Sequence, residues 1–341
     1  MLKEIEIQNF RCFENTKISG FERVNLIGGK NNGGKTALLE ALFLNVDPQA
    51  SSLEILRKLR RESSEALQAM PNRAWDNLFY ALRKDRPIVI LGKDDNNNTE
   101  QVKIINSSLS RITVELTKSE KGTPNSSSYV ASAQGLRNTY GDPIITDNSS
   151  TTDEVPIIPS FIMISGRELT EAYDNARLDD KDSEVLKAFQ ILDPAIESVE
   201  SFLIGEPTLY LRRKGEKRLP LSLFGDAMNR VAYVILKLVN NKYKILLIDE
   251  IENGIHYTSQ REFWRVLFRL AVELDTQIFA TTHSLEMLQA FADVGLEPNQ
   301  ECSSAYFEMA KKWKTDQIIG IRRDLETLNY ALEHQEGVRG E

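Results

Sequence analysis

The apolar positions of this chain change rhythm several times along its length. LKEIEIQNF alternates with a period of two, and VNLIG (24–28) is apolar apart from Asn25, so the N-terminus predicts two strands joined by a polar turn region. TALLEALFLNV (36–46) is apolar on nearly every side and predicts a buried helix. From 51 to 84 the spacing is amphipathic and helical, in SSLEILRKLRRESSEALQAM and again in RAWDNLFYALRK. PIVILG, QVKII and RITVEL are short β-branched runs parted by GKDDNNNTE and INSS, and predict a β-rich lobe. KGTPNSSS and TYGDPIITDNSSTTDE predict loops on that lobe.

SFIMIS (160–165) predicts a buried strand, and ELTEAYDNARLDDKDSEVLKAFQIL a charged helical insertion standing away from the core. SFLIG and PTLYLRRKGEKRLPLSL predict strands with a hairpin turn at KGEK, followed by a helix from Ala227 to about Asn240. KILLID is a run of the kind that parallel strands buried on both faces require. A helix over about 258–274 and a second buried strand, TQIFATTHS, come next; YFEMAKKW and QIIGIRR alternate, and DLETLNYALEH closes on a helix. No internal repeat is visible. The sum is an α/β core with a β-rich lobe and a short helical insertion.

Composition changes this picture little. With 341 residues, 41% hydrophobic and 27% charged, the chain can bury a large core without disulfides or structural metals. A net charge of −8 gives no global electrostatic case for nucleic acid, although a local basic face is compatible with it. Cys12 and Cys302 are far apart and lack any C-x-x-C partner, which suits a reducing cytoplasm and argues against a zinc or redox motif. MLKEIEIQNFRCF lacks the apolar centre of a signal peptide, and no run approaches the ~18 apolar residues of a membrane span.

Four short segments carry chemistry. Gly29-Lys30-Asn31-Asn32-Gly33-Gly34-Lys35-Thr36 satisfies G-x-x-x-x-G-K-[ST] between a strand and a helix. Its backbone N–H groups can cradle a polyphosphate, Lys35 neutralises the β- and γ-phosphates, and the Thr36 hydroxyl ligates Mg²⁺. A plain Gly/Asn turn would not explain Lys-Thr placed just ahead of a helix. KILLIDE delivers Asp249 to the end of a buried strand, where it can hold Mg²⁺ through water; Glu250 beside it is placed to polarise an attacking water. No N-K-x-D guanine motif is present. His283, in TTHS, ends the following strand, where it can hydrogen-bond the γ-phosphate and report its loss; the bland alternative is a structural histidine. In PLSLFGDA, Asp226 is an N-cap candidate and Gly225 permits close backbone approach, which equally describes an ordinary capped helix start.

The order of these segments, with IEIQNFRCFENTKI, IDEIENGIHYTSQREFW, IFATTHSLEMLQAF and ALEHQEGVR, resembles the ABC-type ATPases of the SMC/RecF/OLD group, and within it the OLD-like AAA ATPases of bacteria. The resemblance spans essentially the whole chain. It implies an ABC-type P-loop ATPase head over 1–167 and 201–341, with the β-rich lobe at about 85–160 and 168–200 as an insertion that can serve as a dimerisation arm. It further implies a head-to-tail homodimer around two ATP molecules with Mg²⁺. Asn31, Asn32, Gly33, Gly34, Lys35 and Thr36 then hold phosphates and metal, Asp249 organises the metal, Glu250 is the general base and His283 the switch. Arg11 matches an arginine near the nucleotide, Ser222 and Gly225 contact the partner's ATP, and Asn253-Gly254-Ile255-His256 communicates across the dimer.

Several features depart from the group. SLFGDA replaces S-G-G-Q, and Ser165-Gly166-Arg167 stands where relatives carry a Mg²⁺-sensing Gln. The insertion is too short for a long coiled coil. The only D-x-D, Asp180-Lys181-Asp182, lies in that insertion and reads as a solvated face rather than a Toprim metal site. The expected role is an ATP-gated switch for a separate effector, such as a nuclease, in phage defence or DNA processing, with no nuclease activity of its own. The alternative is a RecF-like ATPase that clamps DNA, supported by RKLRR (57–61), RRKGEKR (212–218) and KKWK (311–314). A membrane-transporter subunit fits poorly, lacking S-G-G-Q.

Overall fold

Three largely apolar runs are strands of one sheet, and the reason they lack alternation is visible in how they are covered. The computed structural model describes all residues except 61, 63–68, 71–72, 74, 109–110, 121–122, 133–134, 139–154, 162–163, 335–336 and 339–341. β3 (Val24–Gly29), β13 (Ile245–Ile248) and β14 (Gln277–Thr281) run parallel within a six-stranded sheet ordered β16-β15-β3-β14-β13-β9. β9 is Ile157–Ile158, β15 Ser304–Lys311 and β16 Ile318–Arg323; β16 alone is antiparallel. Leu26, Leu246, Ile248, Ile278 and Ala280 enter one core cluster, while Ile27, Leu247 and Phe279 enter another. Both faces of each strand are thus covered, and period-two patterning has nothing to record.

One covering layer is α1 (Lys35–Val46), wedged between this sheet and an antiparallel sheet ordered β2-β1-β4-β5-β6-β7-β8. Ten of its twelve residues are buried, which explains why TALLEALFLNV has no polar face. The antiparallel sheet comprises β1 (Leu2–Phe10), β2 (Phe13–Ser19), β4 (Ile88–Asp94), β5 (Thr99–Ser108), β6 (Arg111–Glu120), β7 (Thr123–Ser132) and β8 (Gly135–Asn138). The other core lies under the helices α3 (Gly166–Leu178), α4 (Asp182–Leu192), α5 (Asp226–Val239), α6 (Gln260–Glu273), α7 (Leu285–Gly295) and α8 (Leu325–Glu333); α2 is Ala50–Leu59. A three-stranded sheet of β10 (Ile196–Ile204), β11 (Glu206–Arg213) and β12 (Leu219–Pro220) flanks them, with the expected turn at KGEK between β11 and β12.

The structure differs from the sequence reading in five places. FENTKIS, read as a turn region, is β2, zipped to β1 in register from Phe10↔Phe13 to Glu4↔Ser19. TPNSS, read as loop, lies in β7 because β6 supplies a full ladder of partners. RAWDNLFYALRK forms two short 3₁₀ turns, Asp76–Leu78 and Tyr80–Leu82, since Ala81 and Leu82 take positive φ and break the helix. The strand placed at SFIMIS falls earlier, at Ile157–Ile158, and Pro159 follows it. Finally, α3 and α4 do not stand away from the core: Leu169, Tyr173, Ala176, Val185, Ala188 and Phe189 are buried among α5 and α6 residues. Their charged residues line only the outer faces. TYGDPIITDNSSTTDE (139–154) lies outside the described residues.

Candidate active site

Because β3, β13 and β14 are parallel, their C-terminal ends share one edge of the sheet, where α/β folds place their ligands. β3 delivers the Gly-rich loop, β13 delivers Asp249-Glu250, and β14 delivers Thr281-Thr282-His283. They border a cleft of about 990 Å³ lined by Asn31, Asn32, Gly33, Gly34, Lys35, Thr36, Glu250, His283 and Arg11. Gly34 caps α1 with φ 89°, a left-handed conformation that favours glycine, and so turns the loop into the helix start. Lys35 is 5% exposed, and its Nζ donates to the carbonyls of Gly29 (2.8 Å) and Lys30 (2.9 Å), folding the ammonium back over the loop. Burial lowers its pKa to about 8, against the opposing pull of Asp249, Glu252 and Glu250.

Asp249 lies just beneath the cleft. The Thr36 hydroxyl stands 3.2 Å from both of its carboxylate oxygens, and the Thr281 hydroxyl donates to Oδ1 at 2.6 Å. Burial raises the Asp249 pKa, with these hydroxyls opposing the shift. A buried carboxylate facing a threonine hydroxyl, with no cation paired to it among the described salt bridges, suits a hard divalent cation, which Thr36 and Asp249 would hold. Among the described residues no group of three or more His, Cys, Asp or Glu forms a metal cluster.

Glu250 occupies a left-handed conformation (φ 47°), strained for a residue with a Cβ and held by its surroundings. Its N–H donates to the Thr281 hydroxyl (2.8 Å), and its Oε2 accepts from Asn253 Nδ2 (2.8 Å). His283 Nε2 stands 3.7 Å from Glu250 Oε1, while the His283 N–H donates to Glu252 Oε1 (2.6 Å). Arg11 is on the cleft wall, but its Nε donates to Glu40 Oε2 (2.9 Å) and an Nη to the carbonyl of Asn77 (2.9 Å). Glu40, 1% exposed, also accepts from Arg60, another lining residue.

Ser222 and Gly225 are elsewhere. Ser222 lines a separate cleft of about 510 Å³ with Arg230, Asn253 and Gly254, and Leu223 beside it is 68% exposed. Gly225 caps α5 at φ 92° with open space where a Cβ would be, so conformation rather than crowding asks for glycine there. The cap is Gly225, one residue before the expected Asp226. Sequence reasoning missed Thr281, which ties Asp249 to the Glu250 backbone, and the hold of Asn253 on Glu250. Only the repeated threonine of ATTHS hinted at the first.

The family model described as "AAA domain, putative AbiEii toxin, Type IV TA system" matches residues 24–288, which contain the Gly-rich loop, Asp249-Glu250 and Thr281-Thr282-His283. The chain belongs to that AAA-domain family. An "ATP/GTP phosphatase" of Helicobacter pylori is 26% identical over the full length of both chains. The "DNA double-strand break repair Rad50 ATPase" of Archaeoglobus fulgidus is 29% identical over 109 residues, 30% of this chain and 12% of that one. Among solved structures, an Smc head bound to the C-winged helix domain of ScpA aligns with a TM-score of 0.50 at 12% identity, covering 96% of this chain and 98% of that one. The fold is that of an SMC-like, ABC-type P-loop ATPase head.

Proposed function

We propose that this member of the family is a Mg²⁺-dependent ATPase whose site is completed by a second copy of itself, and that ATP turnover gates a separate effector. The observation that carries this reading is the convergence of Lys35, Thr36, Asp249 and Glu250 at one cleft while Ser222 lines a different one. Residues meant to touch the same nucleotide, yet separated within one chain, are what a head-to-tail dimer requires.

In the proposed reaction, the Lys35 ammonium leaves its two carbonyls for the β- and γ-phosphate oxygens. Mg²⁺, held through Thr36 and Asp249, would supply further positive charge to those oxygens. Glu250 takes a proton from water as the water oxygen bonds to the γ-phosphorus; the bond to the β-phosphate oxygen breaks, giving ADP and phosphate. Asn253 and the Thr281 hydroxyl keep Glu250 pointed into the cleft, and His283 stands beside it to sense the γ-phosphate. The name of the Helicobacter relative supports a nucleoside-triphosphate hydrolase, and the absence of N-K-x-D favours ATP over a guanine-selective site. The OLD-like resemblance and the toxin-system description of the family support an effector in phage defence, a nuclease being the partner we favour.

Glu250→Gln tests this directly. Turnover should fall by ~10²–10⁴-fold with ATP still bound. On sizing with light scattering, ATP should then move the variant from one 38.7 kDa chain to a pair. Native turnover in this variant, or an unchanged mass with ATP bound, rejects the scheme.

A further inference from the structure

Three runs of basic residues stand out along the chain, and the structure treats them differently. In 212–218, Arg212, Arg213 and Arg218 pair with Glu197, Asp193 and Glu200. In 57–61, Arg57 lies over the Trp75 ring at 3.5 Å and Arg60 is engaged by Glu40. The third run is unlike these. Lys311, Lys312 and Lys314 are exposed and have no carboxylate partner among the described residues; Asp316, the one acid in the turn, pairs with none of them. Between them Trp313 is 92% exposed. The other two tryptophans, Trp75 and Trp264, are 2% and 0% exposed.

This tip is a built turn. The Lys312 N–H donates to the Gln317 carbonyl (2.8 Å), and the Thr315 and Asp316 N–H groups both donate to the Lys312 carbonyl (3.1 Å each). It also projects from a defined place. β15 runs parallel to β3 with Met309 opposite Gly29, so Lys311 begins two residues beyond the start of the phosphate loop, at the same sheet edge.

We propose that this hairpin tip is a landing site for single-stranded nucleic acid, Trp313 stacking on a base while Lys311, Lys312 and Lys314 meet flanking phosphates. A bare indole ringed by unpaired cations matches a ligand that offers π-faces and anionic charge at alternating positions. A duplex hides its base faces in the stack. Membrane-surface recognition by basic clusters typically uses more charges than three, and the cores of protein interfaces are depleted in lysine. The inference does not rest on ATP turnover, so its failure and that of the ATPase reading are distinguishable.

Trp313 is its own reporter, because the other two indoles are buried. Full-length protein without nucleotide is titrated, at low salt, with an oligothymidylate of ~20 residues, following tryptophan emission and the anisotropy of a labelled strand. Saturable quenching is expected, with log K falling against log salt at a slope of about −2 for three lysine contacts. Trp313→Ala should remove the quenching and weaken binding roughly ten-fold, whereas Trp313→Phe should retain most of the affinity. Lys311→Gln, Lys312→Gln and Lys314→Gln together should flatten the salt dependence. The proposal is overturned by no binding, by affinity indifferent to Trp313→Ala, by preference for duplex of the same length, by quenching only with phosphatidylserine vesicles, or by quenching that tracks self-association on sizing.

Discussion

If Lys35 meets the nucleotide phosphates as proposed, its burial sets a pH limit on nucleotide capture. Its folded pKa, about 8, lies well below the ordinary lysine value because burial disfavours the charge in the empty cleft. A polyphosphate favours the ammonium and raises that pKa again. Binding near pH 8 therefore takes up a fraction of a proton, and ATP affinity, full below pH 8, declines as pH rises through and beyond it, by at most ~ten-fold per unit. Cys12, also on the cleft wall, is pushed up to about 11 by burial and stays protonated across this range. Calorimetry in buffers of different ionisation enthalpy should show the uptake; affinity that is flat from pH 7.5 to 9.5 rejects it. The loop and the Asp-Glu pair were legible in the sequence because each obeys a local demand: positive φ before a helix, a lysine on phosphate, a carboxylate ending a buried strand. Thr281 and Asn253 were not legible as holders of Glu250. The Thr281 partnership exists only because β13 and β14 pair with Ile248 opposite Ala280, a register no local pattern announces, and that of Asn253 arises in the turn after β13, where the Asn253 N–H also donates to the Glu250 carbonyl (3.0 Å).

Among the secondary-structure elements, β3, β13, β14 and α1 could be read with little error, since burial on both faces leaves a largely apolar run. The misread segments were those whose fate depends on neighbours. TPNSSSYVAS has the composition of a loop, yet an adjacent strand with ten paired positions makes it β7. The 166–192 helices misled in the opposite sense: their many charges suggested an outlying arm, while their apolar positions are core. Phe189, 0% exposed, marks the difference. Phe189→Ala should cost ~3–5 kcal/mol in denaturant unfolding if the helix pair is packed as described. An outlying arm would lose no more than ~0.5 kcal/mol. The same variant should keep its affinity for ATP, because Phe189 is in the core remote from α1 and the phosphate loop.

For the molecule as a whole, the separation of Ser222 from the phosphate cleft makes the proposed dimer testable without seeing it. Consider two variants that each lack one half of a composite site. Lys35→Ala removes the ammonium proposed to bind phosphate but leaves the 221–225 segment intact. Ser222→Arg, at an exposed position where the fold tolerates a larger side chain, blocks that segment but leaves the phosphate loop intact. Each alone should be nearly inactive, since every site in either homodimer contains one defective half. Mixed in equal amounts, random re-pairing makes about half the dimers mixed, each with one site built wholly from native halves; about a quarter of native ATPase activity should return. If sites were complete within one chain, Ser222→Arg would be active by itself and mixing would add nothing. If both variants are inactive and stay so when mixed, the 221–225 segment is not the element that closes on the partner's ATP. Recovery on mixing is the outcome that only a shared site produces, and it would make SLFGDA, with no second glycine, a working substitute for S-G-G-Q.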